Sequence, residues 1–195
     1  MLTVIVTGGI GSGKSAVCAL LAGRGIPVYD SDSRTKALYD SIPGLKERIE
    51  AELGVPFSSL AKVIFSSDEA RKKLESIVHP LVRKDFEAWR DAQEGAPFVV
   101  LESAIILSLP AFDGIADYVV AVTAPEEVRI ERLLGRGLSR EDAICRMASQ
   151  SIDLSKADVV IENSGSLQAL SRRVGRVFLS KNSYICRLEN KEIKI

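Results

Sequence analysis

The sequence predicts an α/β domain: a three-layer arrangement with a five-stranded parallel sheet between helical layers, to which a helical side module and a lid are added. Three observations predict it. The apolar run Leu2-Thr3-Val4-Ile5-Val6-Thr7 leads directly into a glycine-rich turn and then a helix-forming segment. Further short apolar runs stand at residues 26–29, 98–101, 118–122 and 159–161, several of them continuous rather than alternating, as in strands covered on both faces. Helical patterns separate these runs, and strand–helix alternation with right-handed crossovers gives a parallel sheet. A chain of 195 residues suits one such domain, with its core over about 1–32, 98–124 and 156–180, a helical module over about 33–96 and a lid over about 125–155.

The first strand, Leu2 to Thr7, feeds Gly8-Gly9-Ile10-Gly11-Ser12-Gly13-Lys14-Ser15, which fits the pattern G-x-x-x-x-G-K-[ST] of a P-loop. Glycines let a backbone turn closely around a polyphosphate without Cβ atoms in the way. The N–H groups of the loop then form an anion nest, and the following helix adds the positive end of its dipole. Gly9, Gly11, Ser12, Gly13, Lys14, Ser15 and Ala16 are therefore the expected nucleotide-binding residues. Lys14 is expected to reach the β- and γ-phosphates of ATP, and the Ser15 hydroxyl to ligate Mg²⁺.

The first helix is expected from Lys14 to about Arg24, ended by Gly25. The second strand, Ile26 to Tyr29, delivers Asp30-Ser31-Asp32 at its carboxyl end, where open parallel sheets bind ligands. Phosphoryl transfer needs a group that orients the attacking hydroxyl and takes its proton. Asp32 is preferred for that work over Asp30, which can instead cap or brace the strand end. Helical patterns follow over Ser33 to about Ile42 and Leu45 to Leu53, and a capping box Ser66-x-x-Glu69 opens a helix with Ala70, Leu74, Ile77 and Val78 on one face. His79-Pro80 is expected to interrupt it, Pro80 opening a further helix with Leu81, Val82, Phe86 and Trp89. This module is longer than a crossover requires and is assigned to the second substrate. His79, the lone histidine, is either a hydrogen-bonded core residue or a substrate contact.

The third strand, Phe98 to Leu101, ends at Glu102-Ser103, and Glu102 is a candidate carboxylate for a water of the Mg²⁺ shell. After the fourth strand, Tyr118 to Val122, Thr123-x-x-Glu126 with Pro125 opens a helix carrying Arg129, Arg132 and Arg136 along one side. Ser139-x-x-Asp142 starts the next helix, which carries Arg140 and Arg146. Arginines on a helix are usually a solvated face. Here Gly135 and Gly137 bracket Arg136 and the cluster follows the fourth strand, so Arg136 and Arg140 are assigned to the phosphates in a closed lid that excludes water. The last strand, Val159 to Ile161, precedes Glu162-Asn163-Ser164-Gly165 and a helix from about Leu167 to Leu179.

Composition narrows the partners. Lys plus Arg equals Asp plus Glu at 26 each, so no global charge draws the chain to nucleic acid or to an anionic membrane. No apolar run approaches the roughly 20 residues of a membrane span. The N-terminal segment lacks a basic flank and runs into the phosphate loop, which reads as a strand and not a signal peptide. Cys18, Cys145 and Cys186 are odd in number and lack metal-ligand spacing, as expected of small semi-buried apolar residues in a reducing cytosol.

These motifs together resemble the dephospho-CoA kinase family. Thr7 to Ser15, the Asp30-Ser31-Asp32 pair at the second strand, Ile77-Val78-His79-Pro80-Leu81, the lid segment from Arg136 to Gln150, and Ala157 to Gly165 occur in the family's order over most of the chain. Three stretches depart from its pattern: Ser58-Ser59 stands where a longer loop with Leu-x-Arg is usual, the segment between Gln150 and Ala157 is short, and Glu102-Ser103-Ala104 replaces an Asp-x-Pro-Leu-Leu. The resemblance implies transfer of the γ-phosphate of ATP to the ribose 3′-hydroxyl of dephospho-CoA, giving coenzyme A. It makes Asp32 the catalytic carboxylate, puts Lys14 and Arg140 on the phosphates and Asn163 beside the adenine, and places His79 in the substrate module. It further implies a cytoplasmic, Mg²⁺-dependent enzyme that needs no nucleic acid; separately from the resemblance, a monomer or weak homo-oligomer without a membrane partner is expected. The alternative is another small P-loop kinase acting on a nucleoside monophosphate or a small alcohol. A nucleotide switch is disfavoured, since no guanine-reading N-K-x-D is present.

Overall fold

The computed structural model describes residues 1–150, 152–180, 183 and 185, which leaves Cys186 outside the described residues. They divide into two compact units: Met1–Tyr29 with the described residues from Gln93 onward, and Asp30–Ala92.

The first unit holds the sheet. Its strands are β1 (Leu2–Thr7), β2 (Val28–Asp30, whose last residue begins the other unit), β3 (Phe98–Glu102), β4 (Tyr118–Thr123) and β5 (Val159–Glu162). They run in the order β2-β3-β1-β4-β5, with β1 parallel to β3 and to β4, and β4 parallel to β5. Every residue of β1 is buried, as its unbroken apolar run requires of a central strand. Val4, Val6, Val100, Val120 and Val122 pack with Val17, Cys18 and Leu21 of helix α1 (Lys14–Ala22), and with Leu170, Val174 and Phe178 near the C-terminus. The alternate residues Ile5, Val99, Leu101 and Ala121 are at most 1 % exposed, so the other sheet face is covered too. This is the three-layer parallel architecture read from the sequence.

Two carboxylates fix strand entries. Asp117 Oδ2 accepts from the Thr3 N–H at 2.7 Å, and Asp158 Oδ2 accepts from the Val119 N–H at 2.8 Å. The Ala157-Asp158 end of the last motif is thus a structural clamp on β4. Between β3 and β4 the chain makes two short 3₁₀ turns, Ile106–Ser108 and Pro110–Phe112.

The second unit is helical: α2 (Ser31–Ser41), α3 (Leu45–Leu53), α4 (Leu60–Ser66) and α5 (Asp68–Asp91). Arg34 on α2 forks onto Asp85 of α5 at 2.9 and 2.6 Å, the bidentate geometry that guanidinium and carboxylate planes favour. The expected break at His79-Pro80 does not occur, for α5 runs continuously through Pro80. Proline removes one helical hydrogen bond, but Leu74, Ile77 and Val78 before it and Val82 and Phe86 after it are buried as one stripe, and that packing keeps the axis straight enough to continue. The helix start is also corrected by one position. Ser67, not Ser66, is the cap and accepts from the Ala70 N–H, because Ser66 belongs to α4 and its hydroxyl donates back to Lys62 and Val63 carbonyls.

Back in the first unit, α1 stops at Ala22, short of the expected Arg24, and Gly25 takes its positive φ in the turn that follows. Helix α6 (Glu126–Leu134) starts after Pro125 with no side-chain cap, since Thr123 is still the last residue of β4. Helix α7 (Arg140–Ala148) does start at the expected box: Ser139 Oγ accepts from the Asp142 N–H at 3.0 Å. Helix α8 (Leu167–Val174) continues as a π-helical turn over Gly175–Leu179. Cys18 is buried in the core, whereas Cys145 on α7 is exposed, contrary to the semi-buried expectation, because it faces away from the single buried position Ala143.

Candidate active site

The junction of β1 and α1 has the local geometry of an anion nest. Gly13 has φ +98°, and a Cβ there would lie 2.1 Å from Asn163 Nδ2; Gly8 has φ +146°, and a Cβ there would lie 2.2 Å from the Val122 carbonyl oxygen. Only glycine fits either place.

The loop's carbonyls are held by donors from other elements. Arg129 Nε donates to Ile10 O at 2.8 Å. Arg132 Nη1 donates to Gly11 O at 3.0 Å and Ser12 O at 3.1 Å, while its Nη2 donates to Asn163 O at 2.9 Å. Asn163, buried at the end of β5, adds a bond from Nδ2 to Ser12 O at 2.9 Å. With these carbonyls occupied by cationic or amide donors, and the Ile10 and Ser12 N–H groups bonded to Gln150 and to the Gly9 carbonyl, the other loop amides are what remains for an anion. Burial pulls the Arg129 guanidinium below its ordinary value, partly countered by the Glu126 carboxylate.

A pocket of about 250 Å³ opens beside the loop, lined among others by Gly8, Gly9, Ser12, Thr123, Arg129 and Gln150. The Ser12 hydroxyl is buried without a hydrogen-bond partner among the described residues, the kind of polar atom a bound group satisfies. Ser15 Oγ donates to Glu102 Oε1 at 2.8 Å, so a hydroxyl at the start of α1 and a carboxylate at the end of β3 stand together. Hard oxygen donors of this kind suit Mg²⁺. Among the described residues no cluster of three or more His, Cys, Asp or Glu offers a preformed protein cage for a metal. Mg²⁺ bound through a few protein oxygens, with water and phosphate completing its shell, needs none.

Gly9, Gly11, Ser12, Gly13, Lys14, Ser15, Ala16 and Asn163 therefore fall at one junction. Arg136 and Arg140 do not reach it: both are exposed, and Arg140 pairs with Glu127 at 2.9 and 3.0 Å. The arginines that touch the loop are Arg129 and Arg132, which the sequence placed on the right helix without a role. Their three-residue spacing, which puts both on one face of α6, was the available signal.

In the other unit, Asp30 caps α2. Its Oδ1 accepts from the Asp32 and Ser33 N–H groups at 3.0 and 3.3 Å, and its Oδ2 from the Ser33 hydroxyl at 2.6 Å. Asp32 is exposed in the first turn of that helix. Asp30 thus braces the strand end, as expected of it, and its cap takes the Asp32 N–H but not the Asp32 carboxylate. His79 is half-buried on α5, and burial lowers its pKa from the ordinary value, against a smaller opposing effect of the Glu75 carboxylate.

Comparison with known proteins adds the remaining findings. A sequence profile described as dephospho-CoA kinase matches residues 2–169. The dephospho-CoA kinase of Frankia casuarinae is 38% identical over 190 residues, which is 91% of this chain and 82% of that protein. That of Porphyromonas gingivalis is 42% identical over 166 residues, 80% of this chain and 81% of the relative. A crystal structure from Thermus thermophilus, 35% identical, superposes with a TM-score of 0.77 over 89% of this chain and 94% of its own. No helix among the described residues is long and apolar enough to cross a membrane.

Proposed function

The chain belongs to the dephospho-CoA kinase family, and from that premise we propose that it transfers the γ-phosphoryl group of ATP to the ribose 3′-hydroxyl of dephospho-CoA, giving coenzyme A and ADP. The observation that carries the proposal is the β1–α1 junction, whose glycine-rich loop has its carbonyls bound by Arg129, Arg132 and Asn163 and holds a buried Ser12 hydroxyl without a hydrogen-bond partner among the described residues.

Phosphoryl transfer demands positioning and charge stabilisation more than covalent chemistry. Backbone amides of the loop and the Lys14 ammonium hold the β- and γ-phosphates. Mg²⁺, held through Ser15 with Glu102 beside it, offsets phosphate charge when bound. Asp32 orients the 3′-hydroxyl and accepts its proton as the oxygen attacks the γ-phosphorus and the bond to the departing ADP breaks. Arg140 and Arg136 neutralise the transferring group on lid closure, Arg140 exchanging Glu127 for phosphate oxygens. Asn163, besides bracing the loop, borders the adenine, and His79 contributes to the acceptor module. Except for Glu102, which stands where the family has another pattern and rests on its bond to Ser15, these roles are supported by the match of the residues to the family's motifs. Balanced charge and an odd number of cysteines without metal-ligand spacing support a cytoplasmic enzyme, monomeric or weakly self-associating, that acts on a small molecule without nucleic acid.

An acceptor panel tests the proposal: ATP is offered with dephospho-CoA, with nucleoside monophosphates and with small alcohols, and ADP release is measured. Release with dephospho-CoA well above the acceptor-free background is expected. Turnover with a nucleoside monophosphate and none with dephospho-CoA overturns the assignment in favour of another small P-loop kinase.

A further inference from the structure

The start of the phosphate loop is gripped at both ends of its first peptide planes. In the Gly9–Ile10 peptide, the Gly9 carbonyl accepts from the Ser12 N–H at 3.1 Å, and the Ile10 N–H donates to Gln150 Oε1 at 2.7 Å. In the next peptide, the Ile10 carbonyl accepts from Arg129 Nε at 2.8 Å. Gln150 lies two positions beyond the last residue of α7 and 140 residues from Ile10 in sequence. One side of this grip therefore comes from α6 and the other from the far end of the segment that carries Arg140.

The residue type matters. Gln150 lines the pocket beside the loop, where Arg129 is the one charged lining side chain among the described residues. A carboxylate there would accept the Ile10 N–H equally well, yet would set a negative charge beside a polyphosphate site. A carboxamide accepts the same bond and stays neutral.

We propose that Gln150 is a positioning residue for nucleotide binding: it sets the orientation of the Ile10 amide, with Arg129 on the following carbonyl, and so couples the end of α7 to the anion nest. The inference rests on the phosphate-loop reading above. Losing the Gln150 bond frees the Gly9–Ile10 plane to rotate, and the ordered arrangement of loop dipoles has to be restored when phosphate binds.

The test is an equilibrium titration with ATP of the whole protein and of Gln150→Leu and Gln150→Glu, at low and at high ionic strength. Wild type that binds no ATP removes the phosphate-loop reading itself, and this inference falls with it. With wild type binding, Gln150→Leu is expected to weaken ATP by about 2- to 10-fold, the range for one neutral hydrogen bond, at either salt concentration. Gln150→Glu, of the same shape, is expected to weaken ATP at low salt and to approach wild type as salt rises, because its deficit is electrostatic. The KM for dephospho-CoA is expected to stay the same in both. ATP binding at wild-type strength in both variants, a Gln150→Glu deficit that salt leaves unchanged, or a change confined to the acceptor KM overturns the proposal. Should Gln150→Leu not fold, the nearly isosteric Gln150→Glu decides alone.

Discussion

Ser15 Oγ and Glu102 Oε1 stand 2.8 Å apart, joining the first residues of α1 to the last residue of β3 by a side-chain hydrogen bond. On the proposed reading, in which the Ser15 hydroxyl ligates Mg²⁺, a carboxylate in that position would hold the ligand in one rotamer and add negative charge beside the dication.

Glu102→Gln keeps an oxygen that can accept from Ser15 and removes the charge. The Mg²⁺ concentration giving half-maximal activity is expected to rise by about 10- to 100-fold, the range for carboxylates that orient metal ligands. Activity measured across a Mg²⁺ series checks this, and an unchanged midpoint dissociates Glu102 from the metal.

Arg132 makes three bonds to main-chain carbonyls, at Gly11, Ser12 and Asn163. Arg132→Met is expected to destabilise the protein by about 2–4 kcal/mol, since charged donors are worth more than neutral ones and two of the carbonyls lose a partner they do not replace. ATP affinity is expected to fall with it. Arg132→Lys is expected not to restore either, because a single ammonium cannot span the fork. Urea unfolding and ATP titration of both variants provide the check.

Asp32 joins the cap at Asp30 through its main-chain N–H, and its carboxylate is not part of that cap. Asp32→Asn keeps the shape and removes the base, so kcat is expected to drop by about 10²- to 10⁴-fold with ATP affinity nearly intact. A variant turning over at the wild-type rate would take Asp32 out of the chemistry.

Burial holds the pKa of His79 below its ordinary value. Its neutral form is favoured in the fold, and the unfolded chain binds the proton more readily. The resulting stability is complete above the unfolded value of about 6.5 and is lost as pH falls from there through the folded value. Denaturant midpoints of wild type and His79→Asn, compared from about pH 8 to about pH 5, should converge on the acid side. A difference that stays constant, or that grows on acidification, contradicts this.

Strands and loop were legible in the sequence because their signals are local. A buried parallel strand must be an unbroken apolar run, and a loop that wraps phosphate must be rich in glycine, as residues 2–15 are. Pro80 misled because a local breaker was outweighed by burial of the stripe from Leu74 to Phe86, which only the tertiary contacts supply. Ser66 misled because it alone of the two adjacent serines has a glutamate three residues on, whereas the end of the preceding helix leaves the cap to Ser67, which is followed three residues on by Ala70. Of the loop-gripping roles, that of Gln150 left no signal, and for Arg129 and Arg132 the sequence offered a shared helix face but not the partner it meets. Each bond spans more than 100 residues, and nothing in spacing distinguishes an arginine that faces a loop from one that faces water.

The most direct test of the central claim follows the phosphoryl group itself. ATP labelled at its γ-phosphate is incubated with Mg²⁺ and dephospho-CoA, and the products are separated. The account predicts one labelled phosphate on the ribose 3′-oxygen of coenzyme A for each ADP formed. Label recovered as inorganic phosphate alone, or ADP formed at the same rate without dephospho-CoA, contradicts it.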